Sequence, residues 1–449
     1  MRPLTDNPVT MGADDAFEFL PLVEALHESV AAASPLPLTV GVFGSWGAGK
    51  SSFLGLWRSL FAEGGPDRTI WFNPWKYDRK VEVWAALLHS VLAEMEQQEG
   101  LRERARRLAR AATWLSLRAG LGHAASLATG GVVGGDQVNR LLDDFSATDS
   151  EEYRQINRFE HDFAAAVREF VGEDGRLVVF VDDLDRCTPD AALTVLESLK
   201  LFLGESRCVF VLALDVDVLA AAAANKFAGA LSGAPGEAAS GMAYLDKIVQ
   251  FPFFLPEVDF ETLRTAYAAH VPLSGADAAA FWDLLQIELG TNPRRIKRFL
   301  NMLNLTMLIY RRSIGAAADD ELRVDTLLFT ELLLIRSRHR DFYHALSREP
   351  DYWRLLEGFA AVAMRRPAQR DTLVSQLPSP LRRFTQDEQL LRLLEAGLGM
   401  YDPPRAPEGP LVRAMVSTVQ RSLGPTTPPT PPVPSSLSRS SSPSPFDIV

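Results

Sequence analysis

Leu38-Thr-Val-Gly-Val-Phe43, running straight into Gly44-Ser45-Trp46-Gly47-Ala48-Gly49-Lys50-Ser51-Ser52, is the stretch that decides the fold. Its first part is short, apolar and rich in β-branched residues, as a buried parallel strand should be. Gly44 to Ser51 matches G-x-x-x-x-G-K-[ST], with a helix expected over Ser51 to Phe61, which is the strand-loop-helix context a phosphate-binding loop needs. The glycines let successive N–H groups curl around a phosphate, and the helix N-terminus adds the positive end of its dipole. Lys50 would then neutralise the β- and γ-phosphates, and the Ser51 hydroxyl would ligate Mg²⁺.

Further along, Leu177-Val-Val-Phe-Val181 ends in Asp182-Asp183. An apolar strand closing on two carboxylates has the form of a Walker B element, in which Asp182 holds Mg²⁺ through water and Asp183 orients or deprotonates an attacking water. Alone this is weak evidence, since many parallel strands end in an acidic helix cap; with the upstream loop it becomes strong. Asp185 and Arg186 extend the element to Asp-Asp-Leu-Asp-Arg, with a salt bridge or helix cap as open to them as a chemical role.

Working outward, apolar residues at helical spacing mark a helix over Ala16 to Ala33, and further strands are expected over Thr69 to Asn73, Arg176 to Val181, Arg207 to Leu214 and Ile248 to Leu255. A helix over Thr188 to Leu203 has Thr188 as N-cap, Pro189 in its first turn and Gly204 past its end. Between Tyr77 and Phe170 the pattern is helical, broken by a glycine-rich stretch from Gly120 to Gly135, and reads as an insertion. Strands alternating with helices imply an α/β doubly wound parallel sheet whose ligands bind at the carboxyl ends of the strands. The expected organisation is a helical lead-in over 1–37, an α/β core over 38–256 with the insertion at about 78–170, an all-helical domain over 257–423 containing Pro293 to Tyr310 and Val324 to Arg336, and a disordered Pro/Ser-rich tail over 424–449.

Composition bounds the rest. A chain of 449 residues that is 47% apolar can bury a large core without staples, and Cys187 and Cys208, in apolar runs, read as core packing. A formal charge of −11 argues against broad nonspecific nucleic-acid binding. The most apolar candidate span, Ala111 to Gly135, is interrupted by Arg118, His123 and glycines, so membrane insertion is not favoured. Peripheral contact through the arginines of 102–110 is the membrane alternative, and a solvated helix is the leading reading of that run. No secretory signal is visible at Met1 to Thr10, and a cytoplasmic location is expected, with the inner membrane face as the peripheral alternative.

The loop Gly44 to Ser52, Asn73-Pro-Trp-Lys-Tyr77, Asp182-Asp-Leu-Asp-Arg-Cys187, Tyr244-Leu-Asp-Lys-Ile248 and Asn292-Pro-Arg-Arg-Ile-Lys-Arg-Phe-Leu-Asn301 together resemble the KAP family of P-loop NTPases over about residues 15 to 310. The resemblance implies an ASCE-type core, with an extra strand between the loop strand and the Walker B strand, and ATP as the nucleotide. It implies a polar sensor at the end of the fourth strand, where Asp215 falls, the alternative being a helix cap. Asn73 falls where related ATPases place a residue that restrains the catalytic acid, the alternative being a turn residue. The comparison also suggests that Arg294 reaches the γ-phosphate from the helical domain, against a plain solvated basic face.

The resulting expectation is a Mg²⁺-dependent ATPase coupling nucleotide state to movement of the helical domain and to a protein partner or a second copy, with bacterial signalling or defence implied by the resemblance alone. A slow-hydrolysing, nucleotide-gated scaffold or assembly protein is the rival. A small-molecule kinase fits the loop alone and is disfavoured by the long helical domain and the Asp182-Asp183 pair.

Overall fold

The computed structural model describes residues 3–61, 65–77, 83–111, 158–199, 207–219, 245–246, 248–314, 319–398 and 407–424. They form two compact units, one of Asp6–Thr262 and one of Met1–Thr5 with Leu263–Val449. The expectations for the glycine-rich stretch 120–135, Arg118, His123, the far end of the helix after Thr188, Tyr244, Lys247 and the tail beyond 424 lie outside the described residues.

The first unit is built on a five-stranded parallel sheet: β1 (Leu38–Phe43), β2 (Arg68–Phe72), β3 (Leu177–Val181), β4 (Cys208–Leu214) and β5 (Phe251–Phe254). Its spatial order is β2-β3-β4-β1-β5, so β4 lies between the strand before the glycine loop and the strand before the paired acids. Both β1 and β3 are in register with β4, which pairs Val40 and Val178 with Val211 and Val209 respectively. Interior strands β3 and β4 are buried at every residue, whereas edge strand β5 alternates. Helices cover both faces of the former, which is why they read as unbroken apolar runs.

On one face lie α1 (Leu20–Ala31) and α2 (Lys50–Ser59), where the Trp57 ring meets Phe180 at 6.0 Å and its indole N–H donates to His27 Nδ1 at 3.2 Å. On the other lie α3 (Val83–Glu96), the helical residues 158–171 and α4 (Pro189–Ser198), sharing a core with Ile70, Phe72, Val179, Val181, Phe210 and Leu212. The described ends of the expected insertion are therefore part of the sheet's own cover. Cys187 and Cys208 are buried free thiols of that core.

Two boundaries of the first unit differ most from the periodicity. The first helix starts at Leu20 rather than Ala16, because Glu18 takes φ 56° and the Asp15 carboxylate receives the Leu20 N–H at 2.7 Å, a capping bond that sets the start. The last strand begins at Phe251 rather than Ile248, because the Val249 N–H turns back to the Leu245 carbonyl at 2.8 Å before the strand starts. β-branched apolar residues suit either a buried strand or a buried turn, so the pattern alone could not tell them apart.

The second unit is helical: α5 (Phe260–Tyr267, which begins in the first unit), α6 (Gly275–Leu289), α7 (Pro293–Ile314), α8 (Asp319–Arg338), α9 (Arg340–Arg348), α10 (Tyr352–Ala363), α11 (Arg370–Gln376), α12 (Glu388–Leu398) and α13 (Gly409–Leu423). Asn292 caps α7 by accepting the Arg295 N–H at 3.1 Å. Asn301 on the same helix holds the backbone of Leu4 through two hydrogen bonds of 2.8 and 2.7 Å, which places the N-terminal residues in this unit.

Candidate nucleotide site

The loop after β1 curls because Gly47 and Gly49 take φ of 91° and 109°, where a side chain is strained, and Gly49 hands the chain into α2 at Lys50. Gly44 N–H bonds the Leu214 carbonyl at 3.1 Å, fixing the loop's start beside the end of β4. Trp46 stands exposed on the loop. The Lys50 ammonium lies back under the loop, donating to the carbonyls of Gly44 at 2.8 Å and Ser45 at 3.2 Å. A third contact joins it to Asp185 Oδ2 at 3.0 Å, and both side chains are less than a tenth exposed.

The loop and the acidic strand end meet directly. Ser51 Oγ donates to Asp182 Oδ1 at 3.0 Å, and the same oxygen receives the Asp183 N–H at 2.9 Å. Burial, then the neighbouring Asp183 charge, push the Asp182 carboxyl up to about 6 against the opposing pull of the Ser51 hydroxyl. Hard oxygen donors this close suit a divalent cation that keeps most of its water, so Ser51 and Asp182 fit Mg²⁺ by donor chemistry. At the next residue the chain enters the left-handed region, with Asp183 φ at 60°. Asp tolerates that conformation at some cost, and such strain gathers at functional sites.

Both oxygens of Asp183 are held. Asn73 Nδ2, just past β2, donates to Oδ2 at 2.7 Å, and Arg186 Nη2 pairs with Oδ1 at 2.8 Å. The Arg186 guanidinium also sits 5.5 Å from the centre of the exposed Trp75 ring. Asn73 Oδ1 is buried without a hydrogen-bond partner among the described residues, an orphaned acceptor beside the held carboxylate.

Other residues singled out in the sequence take different surroundings. Asp215, buried after β4, uses its carboxylate to receive the Asp217 N–H at 3.2 Å while its carbonyl receives the Leu219 N–H at 3.1 Å, so it caps the turn that follows. The Ser52 hydroxyl accepts the Val9 N–H at 3.1 Å, tying the N-terminal segment to α2. Arg294 belongs to the other compact unit, in the first turn of α7. Asp185 and Arg186 form salt bridges, but with Lys50 and Asp183 rather than with each other. The positive φ at Asp183 that sorts them is not readable from residue types.

A parallel sheet ordered β2-β3-β4-β1-β5, with a glycine loop after β1 touching paired acids after β3, defines a P-loop NTPase of the ASCE arrangement. The chain belongs to the KAP family: the model of the KAP family P-loop domain matches residues 19–310. No curated protein matches it by sequence. Among solved structures it is similar to the Aeropyrum pernix ORC2 protein, determined as ADPNP-ADP complexes, at 12% identity and a TM-score of 0.36 over 93% of this chain and 96% of that one. By its family membership the chain carries a nucleotide-binding NTPase domain. Among the described residues no helix is long and apolar enough to cross a membrane.

Proposed function

We propose that the protein binds ATP with Mg²⁺ and hydrolyses it, with Asp183 as the carboxylate that orients and deprotonates the attacking water. The observation that carries this is the hold on Asp183: Asn73 and Arg186 fix its two oxygens, and the unpaired Asn73 Oδ1 supplies a second acceptor for the same water. Ser51 and Asp182 would hold Mg²⁺, which when bound neutralises charge on the transferred phosphoryl group. The loop N–H groups of Gly44 to Ser52 and the Lys50 ammonium would bind the phosphates. Asp215 would sense the γ-phosphate at the end of β4, and Arg294 would reach it from the helical unit, linking hydrolysis to movement of that unit and to a protein partner or second copy. A cytoplasmic location, with contact at the inner membrane face as the alternative, goes with this reading.

A second reading is favoured by the same grip. On this reading Arg186 restrains Asp183 until a stimulus withdraws it, so unstimulated turnover is slow and the protein acts as a nucleotide-gated scaffold. Phosphate release with Mg-ATP and Mg-GTP, measured for the wild type and Asp183→Asn, tests both. ATP turnover lost in the variant supports hydrolysis through Asp183. Normal turnover in Asp183→Asn overturns that assignment. Tight ATP binding without turnover favours the gated scaffold.

A further inference from the structure

Lys50 offers three N–H donors, and three acceptors face it: the Gly44 carbonyl at 2.8 Å, the Ser45 carbonyl at 3.2 Å and Asp185 Oδ2 at 3.0 Å. The two carbonyls belong to the loop itself. Asp185 does not; it stands on the single 3₁₀ turn Leu184–Arg186 beyond the paired acids. Its side chain is 7% exposed and that of Lys50 8%, so the pair is shielded from the solvent that makes surface salt bridges weak. Any phosphate oxygen that takes a hydrogen bond from Lys50 must displace one of these three acceptors.

We propose that Asp185 is a positioning residue that competes with the nucleotide's phosphate for Lys50, and that its displacement loosens the hold on Asp183; this rests on the nucleotide-binding reading of the loop. The turn connects the two events. Asp183 at φ 60° reverses the chain, so that Asp185 meets Lys50 while Arg186, the next residue, returns to Asp183 Oδ1 at 2.8 Å. A carboxylate left buried without its cation is costly, so loss of the Lys50 pair drives the turn to move. The Arg186 backbone moves with it. Phosphate arriving at Lys50 thereby withdraws one of the two grips on the water-handling carboxylate.

Binding of Mg-free ADP to the full chain, measured by equilibrium dialysis in excess chelator, isolates the lysine from any metal effect. Asp185→Asn is expected to bind about tenfold more tightly than wild type, as loss of a competing shielded ion pair implies. Asp183→Asn removes a charge from the same cluster without freeing Lys50, so it measures the plain charge effect and is expected to bind less than threefold more tightly. Asp185→Glu keeps the competing charge and is expected to stay within threefold of wild type. Equal affinities for Asp185→Asn and Asp183→Asn, or weaker binding by Asp185→Asn, would overturn the proposal. Should Asp185→Asn fail to fold, as judged by its thermal transition, Asp185→Ser takes its place under the same criteria. Failure of the nucleotide reading looks different: wild type and every variant fail to bind ADP, or Lys50→Ala binds as well as wild type, and the proposal then falls with that reading.

Discussion

Two groups of shielded carboxylates in this protein are accommodated differently. In the α/β unit, Asp182, Asp183 and Asp185 crowd one strand end, and each meets a partner: Ser51, then Asn73 with Arg186, then Lys50. In the helical unit, Glu331 on α8 and Glu357 on α10 are fully buried, and Glu331 Oε1 and both Glu357 oxygens lack hydrogen-bond partners among the described residues. Burial, and for Glu331 also the charge of Glu357, hold the Glu331 carboxyl well above the usual range and push Glu357 up to about 8. The Trp353 indole lies beside Glu357 without closing a hydrogen bond and pulls weakly the other way. The strand-end acids are met by hydrogen-bond donors and cations, although burial still raises Asp182. Acids in a helical core are kept by taking up a proton.

The sharpest way to break the comparison is at the site. Lys50→Ala should lower nucleotide affinity by about two orders of magnitude or more, read by equilibrium dialysis, since the loop loses its one cation for the phosphates. Asp183→Asn should keep nucleotide binding and lower phosphate release by roughly 10²- to 10⁴-fold, the usual weight of a general base; unchanged release would place the base elsewhere.

In the helical unit, Gly397 on α12 packs against the Glu331 carboxyl, so that a methyl group there would collide with it. Gly397→Ala should therefore destabilise the protein by about 1–3 kcal/mol in thermal or denaturant unfolding, as overpacking does; a variant as stable as wild type would show that Glu331 moves aside freely. For Glu357 the sign follows from its raised folded value. The native state retains a proton that the unfolded chain gives up near 4.5, so stability is full below that pH and falls as pH rises towards about 8. Glu357→Gln should flatten this slope and add about 1–2 kcal/mol near pH 8, compared by denaturant unfolding at pH 5 and 8.

The smallest effect is expected at His339, the helical unit's own paired cluster. Its ring nitrogens face Asp387 Oδ2 at 2.8 Å and Glu288 Oε1 at 3.1 Å. Burial alone would lower its pKa, but the hydrogen bond and charge of Glu288 together with Asp387 outweigh it and the imidazolium is favoured. Its stabilisation is full below the unfolded value near 6.5 and lost as pH rises through the higher folded value. Asp387 is 40% exposed, so Asp387→Asn should cost about 1 kcal/mol or less at pH 6 and still less at pH 9. An equal loss at both pH values would mean that His339 is neutral throughout.

Much of the site could be read before the fold. Gly44 to Ser51 carries its own context, because a strand, a glycine turn and a helix start are local events encoded by neighbouring residues. Val178 to Val181 announced a central strand because a strand covered on both faces has no polar alternation. The Asp185 and Arg186 partners could not be read, since they depend on one backbone angle at Asp183 and on α2 lying across the strand end. Asp15 as the cap that shortens α1 was missed because Phe17 continues the apolar spacing past the true helix start. The turn that Ile248 and Val249 close on Leu245 was missed because these apolar residues suit a strand equally well.

What the sequence determined by itself is the chemistry: a phosphate loop, a strand ending in two acids, and a long helical partner unit, all written as local patterns of residue type and spacing. Only the tertiary structure decided which charge meets which. Strand order sets β4 between β1 and β3 and brings Ser51 against Asp182, while a left-handed residue sends Asp185 to Lys50 and Arg186 to Asp183. Ser51 with Asp182, Asn73 with Asp183 and Lys50 with Asp185 join residues more than a hundred positions apart in the chain, and strand pairing with the packing of helices on the sheet, rather than any local propensity, brings them within reach.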